Sequence, residues 1–337
     1  MKKRQRLLAK AESGDPADQY NLGLHYWEKS PVDKKAAVTC FRKAAKAGHG
    51  DARCALAYAL MCGEGVGKDK MKAVRWYRAA AERGCAGAQC SMGHARNRGK
   101  GCKRDRAEAA RWYEQAAKQG DVEAQFNLAY LLSKGKGVAR DRKKAVYWYR
   151  KAAKQGDALS QYNLASCYEG GRGVVRDYKK ARKWYGNAAK QGDLDAQCRL
   201  GDFYWEGRGV KKNRRKGFAL YEKAAVQGDA DARVTVGYCY FYGKGVKKDW
   251  DRALRWYRKA ARQGNERAMG NIGLMYKYGE GVPQRWRRAV HWFRKGAAKG
   301  HVKSMQQLGE LYGGAAGCPR NTKKADYWLK RAAKGEG

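Results

Sequence analysis

Residues 124–156 have the sequence AQFNLAYLLSKGKGVARDRKKAVYWYRKAAKQG, and variants of this pattern follow one another nine times along the 337-residue chain. If Ala124 marks the start of one copy, the other copies begin at Asp18, Ala52, Ala88, Ser160, Ala196, Ala232, Ala268 and Ser304. The first step is 34 residues long and the other seven are 36. A fixed period of this length is typical of a solenoid, because each unit is too small to bury its own apolar face and must stack on its neighbours.

The apolar residues within one copy follow the period of two helices. The stripe of the first helix is Ala124, Leu128, Ala129 and Leu132, and that of the second is Ala145, Trp148, Tyr149 and Ala152. Asp141 stands where a helix N-cap is needed, and Gly156 follows the second stripe as a left-handed stop. We therefore predict helices over residues 122–133 and 141–155, repeated at 36-residue steps, with no strands.

Three short motifs recur in phase. They are Leu-Gly in the first helix (Leu22-Gly23, Leu200-Gly201, Leu308-Gly309), Gly-x-Gly-Val in the loop (Gly171 to Val174, Gly207 to Val210) and Trp-Tyr-x-x-Ala-Ala-x-x-Gly at the end (Trp184 to Gly192). From about Asp15 to Ala333 the chain resembles the Sel1-like repeat family, a relative of the tetratricopeptide solenoids. The resemblance implies an all-α, right-handed α-solenoid of about nine 36-residue helical hairpins. It also implies a non-enzymatic adaptor whose first helices line a concave groove and whose second helices form the convex back.

The repeat phase indicates one continuous domain. We predict a basic N-terminal segment over 1–13 and a solenoid over 14–337, with units starting near 15, 49, 85, 121, 157, 193, 229, 265 and 301. The first copy loses two residues and contains Ser30-Pro31-Val32, and the last contains Ala315 to Cys318, as expected of capping units. The N-terminal segment lacks the long apolar core of a signal peptide, and no stretch approaches the length of a membrane span. We therefore expect a cytoplasmic protein.

The ten cysteines suggest packing residues and not a disulfide framework. Cys54, Cys90 and Cys198 share one repeat position, which Phe126 and Tyr162 fill elsewhere, so they replace apolar residues. Equivalent positions in neighbouring units should lie on the order of 10 Å apart, beyond the reach of a disulfide. The bridge known in some secreted Sel1-like proteins has no counterpart with the right spacing here. Free thiols and a reducing compartment are the prediction.

The net charge of +42 is the property that bears most directly on the kind of binding partner. The nine windows that contain the first helices (15–28, 49–62 and so on to 301–314) carry −7 in total, so the rest of the chain carries +49. The positive charge therefore belongs to the loops and the second helices, not to the predicted groove. A solvated helix face is the ordinary explanation, but the acidic residues that usually intersperse such a face are scarce here.

Two ladders of basic residues follow from the 36-residue step. The outer ladder consists of Lys68, Arg104, Arg140, Arg176, Lys212 and Lys248. The inner ladder lies between the loop glycines and consists of Lys136, Arg172, Arg208 and Lys244. Together they form a candidate anion-binding edge.

Two sets of residues are candidates for the protein-binding groove. The first is a series of asparagines at one first-helix position, of which Asn127, Asn163 and Asn271 are the main members. The second is an excess of aromatic residues in two adjacent first helices, namely Phe203, Trp205, Tyr238 and Tyr242. Packing between repeats is the alternative explanation for the aromatic set, and solvation is that for the asparagines.

Signals for catalysis, metals and cofactors are weak. The five histidines fall at unrelated repeat positions, and no Cys-x-x-Cys or His-Glu-x-x-His motif occurs. We predict no catalytic residue, no metal site, no cofactor and no small-molecule substrate. The Trp series (Trp76, Trp112, Trp148, Trp184, Trp256, Trp292, Trp328) is predicted to be core.

The leading hypothesis is a scaffold that binds a protein or peptide in its groove and an anionic partner on its basic outside. The alternative is a nucleic-acid-binding helical-repeat protein that uses the basic ladders as phosphate contacts. A third hypothesis is an envelope adaptor that meets anionic lipid or polysaccharide.

Overall fold

The computed structural model describes residues 8–12, 14–28 and 33–335. Residues 8–12 are helical, and eighteen further α-helices follow in the described ranges. They are α1 (Pro16–Glu28), α2 (Lys34–Lys46), α3 (Gly50–Cys62), α4 (Lys70–Ala81), α5 (Ala86–Arg98), α6 (Arg106–Lys118), α7 (Val122–Lys134), α8 (Arg142–Lys154), α9 (Ala158–Gly170), α10 (Tyr178–Lys190), α11 (Leu194–Glu206), α12 (Arg214–Val226), α13 (Ala230–Tyr242), α14 (Trp250–Arg262), α15 (Glu266–Tyr278), α16 (Trp286–Ala297), α17 (Val302–Tyr312) and α18 (Thr322–Lys334). A short 3-10 turn, Ala315–Gly317, precedes α18, and none of the described residues is in a strand. Most of the predicted basic segment 1–13, and all of Ser30-Pro31-Val32, lie outside the described residues.

The helices group into two compact units, Met1–Arg176 with α1 to α9 and Asp177–Gly337 with α10 to α18. Within each unit every helix packs against the helix before it and the helix after it. This confirms the predicted all-α solenoid packing of 36-residue helical hairpins. The continuity of one domain over 14–337 and the right-handed coiling stay predictions.

The helix boundaries follow the predicted caps. The Asp141 carboxylate accepts a hydrogen bond of 2.9 Å from the backbone N–H of Lys144, which fixes the start of α8. The same cap occurs at Asp33, Asp69, Asp105, Asp177, Asn213, Asp249 and Asn321. Arg285, at the equivalent position before α16, makes no side-chain cap. The observed spans of α7 and α8 therefore agree with the predicted ones to within a residue at each end.

In several repeats a glycine of the first helix lies against an aromatic ring of the second helix, whereas Gly309 of the Leu308-Gly309 motif faces Leu329. A Cβ atom on Gly93 of α5 would lie 2.5 Å from the ring of Tyr113 in α6, so only glycine admits the ring at this depth. Gly201 and Tyr221, and Gly237 and Tyr257, repeat the arrangement in the second unit. The two recurring motifs are thus the two sides of one contact.

A buried glutamine joins neighbouring repeats. Gln125 in α7 donates through Nε2 to the carbonyl of Ala117 in the preceding second helix, at 3.2 Å. Its Oε1 accepts a hydrogen bond of 2.9 Å from Gln155, which follows α8. Gln89 and Gln197 form the same two bonds, and Arg233 replaces the first one with its own Nε at 3.0 Å. Since a buried amide needs partners, this chain of bonds fixes the register between repeats.

The Trp-Tyr pairs differ from the prediction in which ring is buried. Tyr149 is 2% exposed and Tyr113 is wholly buried, whereas Trp148 is half-buried and packs onto the edge of the core. The prediction that the Trp series forms the core is therefore correct only in part, because the tyrosine that follows, Tyr113 or Tyr149, is the ring that packs inward against the first helix.

No helix in the described part of the chain has both the length and the apolar character that crossing a membrane requires.

Candidate functional site

Each first helix carries a solvent-facing stripe, which we call the first-helix face. In α7 it consists of Glu123, Asn127, Tyr130 and Lys134, at spacings of four, three and four residues. These residues are exposed or half-buried, while the neighbouring Ala124, Leu128 and Leu131 are buried. The predicted groove asparagines lie on this stripe, which is the surface that successive first helices present together.

The second unit contains a cleft of about 410 Å³ on the first-helix faces of α11, α13, α15 and α17, here named the second-unit cleft. Its apolar and aromatic lining includes Trp205, Tyr238 and Leu274. Its polar lining includes Thr235, Asn271 and Gln307, and its charged lining Asp202, Arg267 and Lys303. The cleft thus combines aromatic anchors with hydrogen-bonding groups, as binding sites commonly do.

The structure brings three predicted groove residues, Trp205, Tyr238 and Asn271, into this one cleft. The prediction that Phe203 lines the groove is wrong. Its side chain is wholly buried and packs edge-on against Tyr178 and Tyr185, with ring centroids 6.0 and 5.7 Å away. It is buried because its repeat position is that of Leu131 and Cys239, which face inward in their own hairpins.

Tyr242 lies beside the second-unit cleft and not in its wall. Its ring is 56% exposed, and its centroid lies 4.6 Å from that of Tyr238. The inner-ladder residue Lys244 folds onto this pair, donating a hydrogen bond of 2.6 Å to the Tyr238 hydroxyl. Its ammonium also lies 5.3 Å from the centre of the Tyr242 ring, within cation–π range. The basic edge and the aromatic groove residues, predicted as separate sites, are therefore contiguous at Lys244.

The acidic and basic side chains at the second-unit cleft differ in how far they are exposed to solvent. Asp202 accepts a hydrogen bond of 2.7 Å from the Tyr221 hydroxyl, and burial raises the pKa of its carboxyl group above the usual value. Burial is also the main cause that lowers the pKa of His301, which keeps its ring neutral at neutral pH. Lys303 is exposed, and Arg267 is exposed with Asp231 at 3.9 Å. Of the charged residues that line the cleft, the two cations are thus the more exposed, whereas Asp202 is half-buried and bonded to Tyr221.

The other two predicted asparagines are engaged within their own helices. Asn127 donates to the carbonyl of Glu123 at 2.8 Å, and Asn163 donates to that of Leu159 at 2.7 Å. One of the two amide N–H groups of each asparagine is therefore already used within its own helix.

The first unit has a basic cavity of about 320 Å³ between α7, α8 and α9, here named the first-unit basic pocket. Lys134, Arg140, Arg142 and Arg172 line it together with Asn163. Among the described residues that line it none is acidic. It unites two predicted edge residues, Arg140 and Arg172, with a predicted groove residue.

The outer ladder is structurally regular. A Cβ atom on the loop glycine would lie 3.1 Å from the Cβ of Lys68 at Gly63, 3.2 Å from that of Arg104 at Gly99, and 3.1 Å from that of Arg140 at Gly135. All six residues of the outer ladder are exposed: Lys68, Arg104, Arg140, Arg176, Lys212 and Lys248. They hold equivalent positions in their repeats, so each repeat presents its ladder residue in the same way.

The inner ladder is less available. Lys136 lies over the ring of Tyr130, with Nζ 5.5 Å from the centroid, and Arg172 donates to the Ser166 carbonyl at 3.2 Å. Arg208 forms an ion pair with Glu206. These side chains lean onto the first-helix face of their own repeat, because the loop between the two glycines runs along the end of that helix.

Sequence reasoning missed Arg267, Leu274 and Lys303 as lining residues of the second-unit cleft. Their signal is present in the sequence, since each lies on the four-three-four stripe of its first helix. The composition of a single helix does not show that its stripe joins those of other helices. The shared surface follows only once the first helices are taken to stack as in a solenoid.

The ten cysteines are all free thiols, as predicted. The Sγ atoms of Cys54 and Cys85 are nevertheless only 3.4 Å apart. The two occupy different repeat positions, since Cys85 takes the N-cap place before α5 where Asp121 stands before α7. That N-cap side chain lies over the first helix of the preceding repeat, so the estimate of about 10 Å between equivalent positions does not apply to this pair.

We expect mild oxidation to join Cys54 to Cys85 before any other pair. Oxidised glutathione would accept the two electrons, giving one protein disulfide and two glutathione thiols. Burial is the main cause that raises the pKa of the Cys54 thiol, and the neighbouring Cys85 raises it further. Because the thiolate is the reactive form, the reaction should be slow at neutral pH. Peptide mapping after oxidation should find the 54–85 bridge, and Cys54→Ser should retain all nine other thiols. A different dominant bridge would contradict the geometry.

Nine consecutive segments match the Sel1 repeat family model, at residues 16–49, 50–85, 86–121, 122–157, 158–193, 194–229, 230–265, 267–301 and 302–336. The chain belongs to the Sel1 repeat family. Proteins of this family generally act as scaffolds for interactions between proteins.

Two solved structures are similar over most of their length. One is c5321, a protective antigen of uropathogenic Escherichia coli strains with an SLR fold, which is 34% identical with a TM-score of 0.83 and covers 98% of this chain and 79% of its own. The other is a Sel1 repeat protein of Oxalobacter formigenes, 33% identical with a TM-score of 0.70, covering 91% of this chain and 89% of its own. No curated protein matches this chain.

Proposed function

We propose that the protein is a non-enzymatic scaffold whose second-unit cleft binds an acidic segment of a partner protein. The observation that carries the proposal is the lining of the cleft, where Trp205, Tyr238 and Leu274 meet the exposed cations Arg267 and Lys303. Aromatic and aliphatic side chains provide pockets for anchor residues, and such anchors supply most of the energy at protein interfaces. The cations favour a partner that carries carboxylates beside its anchor.

The amide groups of the cleft suit an extended backbone. Asn271 carries both a donor and an acceptor, and Thr235 lies between it and Trp205 on the neighbouring first helix. The amide of Gln307 already accepts a hydrogen bond of 2.7 Å from Lys277 and donates one of 3.0 Å to Glu310, which fixes its orientation in the cleft wall. A segment that crosses several first helices would meet one such group per repeat. A volume of about 410 Å³ accepts a few side chains and not a folded domain.

Selection from a random peptide library tests this proposal. The full chain is the bait, and peptides that bind equally well to a Leu274→Asp variant are discarded. The remaining peptides should share an aromatic or leucine anchor next to Asp or Glu. If every enriched peptide also binds Leu274→Asp, or if the enriched peptides are basic, the cleft is not the recognition site.

A second candidate function is the binding of a nucleic acid or another polyanion. The first-unit basic pocket supports it, because Lys134, Arg140, Arg142 and Arg172 surround one cavity without an acidic lining residue among those described. The outer ladder extends the same sign of charge along the loops of the unit. Contacts of this kind are made to phosphate, so they position a strand without reading its sequence.

The salt dependence of binding tests the second candidate. If duplex DNA binds, the slope of log K against log[salt] should be about −0.9 for each neutralised phosphate, and about −0.7 for single strands. Changing Lys134, Arg140, Arg142 and Arg172 to Gln should flatten the slope by about three to four units if each contacts one phosphate.

A control removes the same charge from the outer face of α8 by changing Lys143, Lys144, Lys151 and Lys154 to Gln. It should leave the slope nearly unchanged. Equal losses in the two variants would show that net charge, and not the pocket, holds the polyanion.

A further inference from the structure

We propose that Cys90, His94 and Glu123 form a binding site for a zinc ion. Cys90 and His94 stand four residues apart on α5, so both project from one face of that helix. Glu123 comes from the first turn of α7 in the next repeat. One ligand atom from each residue lies within 4.8 Å of the other two. Among the described residues this is the one group of three or more His, Cys, Asp or Glu side chains with that arrangement.

The distances are close to those around a zinc ion. Nε2 of His94 lies 3.0 Å from Oε1 of Glu123, and Sγ of Cys90 lies 4.0 Å from Oε2 of the same carboxylate. With Zn–S near 2.3 Å and Zn–N near 2.0 Å, tetrahedral ligand atoms are separated by about 3.3–3.6 Å. A small rotation of the half-buried His94 ring and of the exposed Glu123 side chain towards the buried Cys90 thiol would therefore bring the three atoms to bonding distance.

The histidine is set up for a ligand. Its Nε2 is buried, and although it faces Glu123 it makes no hydrogen bond of acceptable angle. The Tyr113 ring packs edge-on against the imidazole, with centroids 5.4 Å apart at 87°, which fixes the orientation of the ring. A buried nitrogen aimed at a thiol and a carboxylate is what a first coordination sphere requires.

The donor set selects the kind of metal. A thiolate, an imidazole and a carboxylate suit Zn²⁺, whereas Mg²⁺ and Ca²⁺ prefer oxygen donors alone. Three protein ligands leave a fourth position, which water or a donor from a bound partner would fill. His94 and Glu123 both belong to first-helix faces, so that position would open onto the surface shared by the first helices.

A comparison with the equivalent residues of a later pair of repeats shows why the site occurs at Cys90, His94 and Glu123. The counterparts of Cys90, His94 and Glu123 are Cys198, Asp202 and Asp231. Asp202 is held by the Tyr221 hydroxyl at 2.7 Å, and Asp231 by Asn265 at 2.9 Å. Their carboxylates are therefore turned to other partners, and Cys198 supplies a matched control.

Cobalt titration of the metal-free full chain tests the proposal. The starting protein is a Cys54→Ser/Cys85→Ser variant, because that thiol pair is the nearest rival for a soft metal ion. One equivalent of Co²⁺ should give a thiolate charge-transfer band in the near ultraviolet together with the visible bands of a tetrahedral ion. Zn²⁺ should then displace the cobalt and abolish both.

Ligand variants locate the signal. Cys90→Ser should abolish the charge-transfer band, and His94→Gln and Glu123→Gln should each weaken binding by more than the roughly 10–100-fold that follows loss of an outer-sphere partner. Cys198→Ser should bind cobalt like the starting protein. Circular dichroism checks that every variant remains helical. The proposal is overturned if the band survives in Cys90→Ser, if Cys198→Ser loses it, or if the starting protein shows no band.

Discussion

Tyr149→Ala should destabilise the middle of the first unit by about 3–5 kcal/mol, the range for truncating a large buried aromatic side chain. The ring is 2% exposed and packs against α7, where Phe126 lies 6.0 Å from it between centroids. Because repeats couple mainly to their neighbours, the loss should fall on α7 and α8 and leave α2 much less affected. Native-state hydrogen exchange reports the stability of each of these helices separately, which a single melting curve does not.

The two preceding residues are internal controls. Tyr147 is 49% exposed, so Tyr147→Ala should change the free energy of unfolding by no more than about 0.5 kcal/mol. Trp148 is half-buried, and Trp148→Ala should fall between the two. If Trp148→Ala were the most damaging of the three, the tryptophan and not the tyrosine would be the core residue of the hairpin.

Reversing the charge of the second-unit cleft should have the largest effect on binding. In an Arg267→Glu/Lys303→Glu variant, carboxylates of the partner segment would face like charges, which costs several kcal/mol at an interface. The dissociation constant of a selected acidic peptide should therefore rise at least about 100-fold, as measured by fluorescence anisotropy or calorimetry.

An Arg255→Glu/Arg262→Glu variant makes the same change in net charge on the exposed side of α14. It should weaken the peptide only slightly, through long-range attraction that salt screens. Similar losses in both variants would mean that the total charge of the protein attracts the peptide, and that the cleft does not select it.

Much of the fold could be predicted from the sequence because it is repeated nine times. The cap at Asp141 and the Leu-Gly and Trp-Tyr motifs each recur, so that errors at one repeat are corrected by the others. The buried pairing of Gln125 with Gln155 was missed although it also recurs. Glutamine has no single structural meaning in a helix, and its partner lies 30 residues away in sequence.

The candidate sites were predicted less well, for physical reasons. Phe203 was misplaced because an excess of aromatic residues in a helix does not indicate which of the rings is buried in the core. The grouping of Cys90, His94 and Glu123 was missed because it requires two helices of adjacent repeats to meet at one point. Lys244 could not be assigned to Tyr238 from spacing alone, since the loop backbone decides where its side chain turns.

Hydrogen exchange of the full chain with and without a selected acidic peptide tests the central claim most directly. Binding at the second-unit cleft should slow exchange in α11, α13, α15 and α17, which supply most of its lining, and leave α10 and α14, which supply none of it, nearly unchanged. Slowed exchange confined to the basic loops or to the second helices, with no change in α13 and α15, would contradict the account.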